Sequence, residues 1–537
     1  MNYTITCPYC FKKMKDDEVC FRSDKVNIGE YPDLPDGYDD AADFVDRCPP
    51  GDEKDRILRE LSDWYFFAPT ENDDYHDYDG INMSEAMGYF EYWKRFGTTT
   101  EAEFGNESVG IKPYMRRIID PSVPAHKRFI KMQHPNGGVT AYIDDDDGMA
   151  AQIELTDGTI CSNRVCKYCH NPLPEEFGKS PAKFITIIGT TGAGKTVYLT
   201  QLLNSITSYS AKVGLSAFIN SSSVMDFISN NKVAAHTPLP NSTPSNTFQQ
   251  PLVYQLKNSD KALAETVVLY DVAGELFSPQ NKVLLKKFEP LLKQSDGFII
   301  LIKPSQFGAF LGDKDKPSTV IDSIHNSVSG RNKSDKPIAV CISQVDTQEV
   351  QTVLEQNEPA LREQLIQDVI PLIDNQGFAK PQFNAADYNP IARNLYSFLM
   401  ANDMELSKKL HDDYTWYNFF GFTSLGCEVE LGENEDGEKY SYPAITPNPK
   451  RIEEPIFWLY YRFGFIDTNE KVYQPGDKEV RCPKCGGTDI SEIPEEERIR
   501  KEKVGLFKSE QYYVDLRCNN PDCGYEWDSQ AEMEDGA

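Results

Sequence analysis

Phe184-Ile185-Thr186-Ile187-Ile188-Gly189 leads into Thr190-Thr191-Gly192-Ala193-Gly194-Lys195-Thr196, and the chain continues as Val197-Tyr198-Leu199-Thr200-Gln201-Leu202-Leu203. The first stretch is an apolar run of strand length, and the last has the apolar spacing of a helix. Between them stands Gly-x-x-x-x-Gly-Lys-Thr, in the strand–turn–helix context that gives the pattern its meaning. Glycines let backbone N–H groups converge on phosphate oxygens without a Cβ in the way. The helix that follows adds its positive end. Gly189, Thr190, Thr191, Gly192, Ala193, Gly194, Lys195 and Thr196 are therefore the expected phosphate cradle. Lys195 can reach the β and γ phosphates, and the Thr196 hydroxyl can ligate Mg2+.

Outward from this loop, residues 181–425 alternate apolar strands with helical patterns. Strands are expected at Phe184–Gly189, Leu215–Ile219, Thr266–Tyr270, Gly297–Lys303, Ile338–Ser343 and Tyr417–Thr423. Helices are expected after Gly194, Asn281, Thr319, Pro359 and Asn389. Continuous apolar strands separated by helices imply an α/β fold, a mostly parallel sheet with helices on both faces.

A second functional element follows the strand Thr266-Val267-Val268-Leu269-Tyr270. It reads Asp271-Val272-Ala273-Gly274-Glu275. A carboxylate at a strand tip can hold a magnesium shell, and Gly274 can offer its N–H to a γ-phosphate and swing when that phosphate leaves. Asp-x-x-Gly alone is usually a turn; behind a phosphate loop and an apolar strand it is a specific signal.

At this point the chain resembles the translation-factor-related P-loop GTPases, the class that includes Ras-like switches. Their third element, Asn/Thr-Lys-x-Asp after a strand, is approached by Ser343-Gln344-Val345-Asp346. The resemblance implies that Asp346 accepts from guanine; Ser343 and Gln344 depart from the pattern, which leaves adenine or loose selectivity open. Their last element is matched by Thr423-Ser424-Leu425-Gly426, so Ser424 and Leu425 join the expected nucleotide contacts. The resemblance also implies a mobile switch threonine, for which Thr243 is favoured over Thr237 and Thr247. Glu275 stands where Ras-like enzymes orient the attacking water with Gln. A carboxylate beside a γ-phosphate opposes hydrolysis, so slow turnover is expected unless a partner supplies an Arg.

The 13 cysteines suggest metal ligands rather than disulfides in a cytosolic chain. Cys482-Pro483-Lys484-Cys485 and Cys518-Asn519-Asn520-Pro521-Asp522-Cys523 read as a four-cysteine zinc ribbon, with Tyr512–Arg517 as a hairpin strand. Cys7-Pro8-Tyr9-Cys10 pairs best with Cys166-Lys167-Tyr168-Cys169, about 155 residues away, a separation whose closure cost grows only slowly with length. Cys161, Cys20 or His170 could replace one ligand there. Cys48, Cys341 and Cys427 read as bystander thiols, and a redox dithiol is the lesser alternative.

The run Cys166–Cys169, His170-Asn171-Pro172-Leu173-Pro174, directly followed by the phosphate-loop strand, resembles the "double-GTPase" group of bacterial P-loop proteins. Arg451-Ile452-Glu453-Glu454-Pro455-Ile456-Phe457-Trp458-Leu459 resembles that group's closing helix. The likeness covers roughly residues 1–20 and 160–465. It implies a regulatory GTPase of multi-component bacterial conflict or antiphage systems, working with protein partners.

The remaining organisation is compositional. Residues 1–20 and 160–175 would form a split first ribbon, 21–159 an acidic insert, 181–426 the nucleotide domain, 427–477 a linker and closing helix, and 478–530 the second ribbon. Between Glu30 and Gly80 lie 17 acids and 4 bases, yet aromatics such as Trp64, Tyr65, Phe66 and Phe67 are interleaved, which suggests a folded insert. Asp144–Asp147 reads as a solvated loop. The chain has 537 residues and a formal charge of −29, which disfavours nucleic-acid or polybasic membrane binding. The basic residues Lys484, Arg498, Arg500, Lys501 and Lys503 read as a solvated helix face. No run reaches the ~18 apolar residues of a membrane span, and the N-terminus is not that of a secretory signal, so the cytoplasm is expected.

The sequence thus points to a magnesium-dependent GTPase switch binding GTP and GDP, with two structural Zn2+ sites. Its rivals are an ATP-driven NTPase and a nucleotide-binding scaffold without turnover. Oligomeric state and partner identity are not legible.

Overall fold

The structure is a computed structural model. It describes residues 4–15, 19–22, 33–38, 43–44, 47–57, 118–119, 139–144, 150–155, 160–166, 173–174, 177–190, 192–219, 221–240, 250–277, 281–306, 317–330, 332–433, 437, 439–475, 484, 490–493, 500–504, 509–514, 516–518 and 523–527. The chain divides into two compact units, Met1–Pro475 and Gly476–Ala537.

The large unit is built on a seven-stranded sheet. Its strands and main helices are β1 (Ala182–Gly189), α1 (Lys195–Lys212), β2 (Ser216–Phe218), α2 (Ser222–Asn230), β3 (Leu252–Asn258), β4 (Leu263–Ala273), α3 (Lys282–Gln294), β5 (Gly297–Ile302), α4 (Pro317–Val328), β6 (Ile338–Ile342), α5 (Gln348–Asn357), α6 (Pro359–Leu365), α7 (Ala385–Asn402), α8 (Met404–Asp413), β7 (Tyr417–Gly421) and α9 (Glu454–Arg462). The spatial order is β2-β3-β4-β1-β5-β6-β7. From β4 through β7 every pairing is parallel, and β2 and β3 add an antiparallel edge. All parallel strands therefore end on one edge of the sheet, where ligands of open α/β sheets bind.

Alternation along each central strand sends side chains to two separate cores. Phe184, Ile188, Val268, Tyr270, Phe298 and Ile300 face one core, together with α3, α4, α7 and α8. Ile185, Ile187, Leu269, Ile299 and Leu301 face the other, against Tyr198, Leu199 and Leu202 of α1 and Phe457–Tyr460 of α9. Continuous apolar strands are thus explained: both faces are covered.

The sheet domain differs from the sequence expectation in several elements. The strand expected at Thr266–Tyr270 runs on to Ala273, because its parallel ladder with β1 continues through Asp271↔Ile187 and Ala273↔Gly189. Asp271 is therefore inside the sheet and not at a strand tip. The strand Leu252–Asn258 is not among the expected six; Gln255, Lys257 and Asn258 interrupt its apolar run. The helix expected after Asn389 starts at Ala385, where the Asn384 side chain accepts from Asp387 N–H at 3.3 Å.

Residues Val429–Glu433 and Lys439–Pro443 form an antiparallel hairpin within the stretch expected as linker. His236 and Leu239 donate their N–H groups to Pro443 and Ser441 of that hairpin, at 2.9 and 2.8 Å. A buried network closes the domain: Arg451 donates to Glu454 and, at 2.8 Å, to Asp387, which ties α9 to α7.

Cys20–Arg22 pairs with both Ile118–Ile119 and Asn163–Val165. Val139–Asp144 and Ala150–Leu155 form a second hairpin, with Asp144 at its end. Phe44 and Ile57 are buried together against Leu34 and Tyr38. In the small unit, Leu516–Cys518 lies between Ile490–Glu492 and Glu526–Trp527. Arg500–Val504 is a strand paired with Ser509–Tyr513, so Arg500, Lys501 and Lys503 lie on a strand and not on a helix face, while Arg498 lies outside the described residues. Among the described residues no helix is long and apolar enough to cross a membrane.

Candidate functional site

The loop after β1 is held in shape by its glycines and by β5. Gly192 and Gly194 have φ of 76° and 75°, a region that costs other residues strain. Thr190 donates its N–H to the Leu301 carbonyl at 3.1 Å, and Ala193 N–H donates to Thr190 at 3.0 Å. Tyr198 N–H closes the first turn of α1 onto the Gly194 carbonyl at 2.8 Å. Thr196 is half-buried in that turn.

Lys195 is buried, and its ammonium donates to the Asp271 carboxylate. Burial pulls the Lys195 pKa down, and the Asp271 charge and hydrogen bond oppose that pull. Gly274 follows at closest approach: a Cβ there would sit 2.3 Å from the Gly189 carbonyl oxygen and 3.1 Å from Thr190 Cα. Only glycine lets this turn lie on the loop. Glu275 is exposed in the 3-10 turn Gly274–Phe277, whose Leu276 and Phe277 are buried anchors. Asn281 donates to the Glu275 carbonyl at 2.7 Å.

The far side of the loop meets β6 and β7. Gln344 has φ of 56° and donates its side-chain amide to the Gly192 carbonyl at 2.8 Å. Ser343 is buried and donates to the Ile302 carbonyl at 3.2 Å, so it braces β5 and β6. Asp346 is half-buried beyond it. Thr423 accepts from Gly426 N–H at 3.1 Å, which shapes the turn carrying the half-buried Ser424 and Leu425. Asn448 donates to the Leu425 carbonyl at 2.6 Å and closes that turn from behind.

The expected nucleotide residues Gly189, Thr190, Gly192, Ala193, Gly194, Lys195, Thr196, Gly274, Gln344, Asp346, Ser424 and Leu425 thus lie along one edge of the sheet, with Asp271 set just inside it on β4. Thr191 and Thr243 lie outside the described residues. A cavity of about 350 Å3 adjoins Asp271 and is lined mainly by polar groups of α2, including Ser223, Asp226 and Asn230. Lys303, which no motif singles out, approaches Gly192 from the end of β5.

Residues 183–394 match the family model described as Double-GTPase 2. Over that segment the chain is similar to the Double-GTPase 2 family. No curated protein matches the chain. Solved structures similar to it include Sup35 complexed with GDP, at 12% identity, covering 46% of this chain and 38% of that one, with a TM-score of 0.20. The S. cerevisiae Ski7 GTPase-like domain bound to GTP aligns at 12% identity over 63% of this chain and 58% of its own, TM-score 0.24. The septin GTPase domain from Chlamydomonas reinhardtii aligns at 11% over 49% and 86%, TM-score 0.22. The chain spans less than two thirds of the length of the Sup35 and Ski7 chains.

A thiol cluster packs on the seven-stranded sheet. The Cys7, Cys10 and Cys166 sulfurs lie within 4.8 Å of one another, with Cys10 and Cys166 3.8 Å apart. Zn–S bonds of about 2.3 Å in a tetrahedron set sulfurs roughly 3.8 Å apart, so the donor set fits zinc. Tyr9 N–H donates to Cys7 Sγ at 3.4 Å, a bond that would disperse charge on a thiolate. Ile5, Cys7, Tyr9, Met14 and Cys166 share the core of β4 and β5, and Tyr270 donates to the Pro8 carbonyl at 2.7 Å. Cys169 lies outside the described residues, as do the side chains of Cys20, Cys161 and His170 and both Cys482 and Cys485. In the small unit, Cys518 and Cys523 lie in one cluster with Leu516, and Cys518 N–H donates to the Tyr525 carbonyl at 2.8 Å.

Proposed function

We propose that this chain binds GTP and GDP, hydrolyses GTP slowly, and acts as a nucleotide-dependent switch. One observation carries the reading: the glycine loop, the Lys195–Asp271 pair, Gly274 and the Gln344–Asp346 turn converge on one sheet edge. Phosphates would replace Asp271 as the partner of Lys195, while N–H groups of the loop and the start of α1 face the remaining charge. The freed Asp271 and the Thr196 hydroxyl are hard oxygen donors suited to Mg2+. That ion, when bound, would neutralise charge between the β and γ oxygens. Asp346 would accept from the guanine edge, flanked by Ser424 and Leu425. Thr243, the threonine expected from the resemblance, would add its hydroxyl to the ion.

Glu275 in place of an amide favours slow turnover, since its charge repels the γ-phosphate. An activating partner that supplies an Arg fits this weakness. The Cys7, Cys10, Cys166 and Cys169 thiolates would hold one structural Zn2+, and Cys482, Cys485, Cys518 and Cys523 a second. The defence or conflict role and the protein partners rest on the family likeness.

Competition titrations of the purified full chain against a fluorescent guanine nucleotide test the reading. GTP and GDP should displace the probe at concentrations at least about tenfold below ATP, and Asp346→Ala should erase that preference. Equal competition by ATP would transfer the reading to an ATPase. Binding without any phosphate release, with and without cellular partners, would make the chain a scaffold.

A further inference from the structure

Strand β1 lies between β4 and β5, so its phosphate loop has two flanks. On the β4 flank Lys195 is engaged with Asp271. On the β5 flank, Lys303 immediately follows the last strand residue, Ile302. A Cβ built on Gly192 would meet Lys303 Cδ and Nζ at 3.8 Å each. The backbone holding this side chain is fixed to the loop: Lys303 N–H lies 3.4 Å from Thr190 Oγ1 and 3.2 Å from Gln306 Oε1. Thr190 in turn is bound to Leu301. Lys303 is therefore anchored on the loop by its main chain and lays its stem along Gly192.

Gln344 reaches the same glycine from β6, but it is neutral and spends its amide on the Gly192 carbonyl. The base side of the loop receives no positive charge from that turn. A bound nucleoside diphosphate carries about three negative charges, and a single buried lysine meets only part of them. Each Lys–phosphate contact is a charge-assisted bond that strengthens as water is excluded.

We propose that Lys303 is a nucleotide-positioning residue, whose ammonium contacts the diphosphate of a bound guanine nucleotide on the flank opposite Lys195. This rests on the guanine-nucleotide reading above and adds a residue to it. Because the contact is to the part GDP and GTP share, it sets affinity for both and does not choose between them. Discrimination of the base stays with Asp346.

The test is a titration of the full chain with fluorescent GDP and a non-hydrolysable GTP analogue. Lys303→Met keeps the stem and the main-chain bonds and removes the charge. It should weaken both nucleotides by a similar factor of about ten or more, with an unchanged melting temperature. Adding Gln344→Lys to Lys303→Met places an ammonium at Gly192 from the other side and should restore most of the affinity. Wild-type affinity in Lys303→Met, with binding lost in Lys195→Ala, overturns this inference and leaves the guanine-nucleotide reading standing. Loss of affinity with a lowered melting temperature and no rescue by Gln344→Lys also overturns it, as a bracing role would behave that way. A wild-type chain that binds neither nucleotide overturns both.

Discussion

Lys195 and Asp271 are joined as a buried ion pair, one residue opening the helix after the glycine loop and the other set inside β4. Each holds the other in a place where a lone charge would be costly. A triphosphate and its metal would have to take over both partners together. Lys195→Ala leaves the Asp271 carboxylate buried without that counter-charge, so it should lose about 3 kcal/mol of stability and more than about a hundredfold in nucleotide affinity. Asp271→Asn keeps the shape and should still bind GDP in a chelator, while losing any gain in affinity on adding Mg2+. Denaturant unfolding and fluorescent GDP titration read both effects. Equal metal enhancement in wild type and Asp271→Asn would remove Asp271 from the metal shell.

Gly274 has no room for a methyl group, since its added Cβ would fall 2.3 Å from the Gly189 carbonyl oxygen. Both groups are main chain, so neither can turn aside. Gly274→Ala should push the turn off the loop, cost about 1–3 kcal/mol and weaken GDP binding several-fold. Chemical denaturation followed by GDP titration separates the two losses. Unaltered binding would show that the turn and the loop move independently.

Tyr270 connects the thiol cluster to the nucleotide edge, because it bonds Pro8 and immediately precedes Asp271. Phe11 also packs edge-on against it, with ring centroids 6.0 Å apart. Tyr270→Phe leaves the buried Pro8 carbonyl without that donor and should cost about 1–2 kcal/mol with zinc content unchanged. Cys166→Ser should lower zinc by one ion per chain, measured by atomic emission, and lower the melting temperature as well. A Cys166→Ser chain with full zinc content would show that the cluster is not the ligand set.

Glu265 has its pKa pushed up to about 7 by burial, against the opposing charge of Lys183. Its Oε2 is buried and has no hydrogen-bond partner. A carboxyl raised above its unfolded value favours folding while protonated, so this stability is full below the ordinary carboxylate range and is lost as pH rises toward 7. Glu265→Gln should therefore melt higher than wild type at pH 8 and close to it at pH 4.5. Melting curves across that range decide the matter; parallel curves would mean that Glu265 titrates normally.

Much of the central sheet is legible in the sequence because both its faces are covered. β5 and β6 are unbroken apolar runs, and no other element of strand length produces that pattern. β3 is harder to read, since an edge-side strand with one partly open face admits Gln255 and Lys257. The start of α7 is hidden by Pro390, which looks like a first-turn proline but lies well inside the helix. The extension of β4 through Asp271 is invisible locally, because an aspartate is a poor strand residue and only its pairing with β1 keeps it extended.

By itself, the sequence determined the phosphate loop, its Lys195 and Thr196, the Asp271–Gly274 element and the cysteine pairs. All are local spacings, and local spacing is set by backbone geometry. The tertiary structure alone decided that Lys195 meets Asp271, 76 residues away, that Pro8 meets Tyr270, 262 residues away, and that Lys303 lies on Gly192. Those meetings follow from strand order, and strand order is chosen by which apolar faces can be buried together, a property of the whole chain that no short window contains.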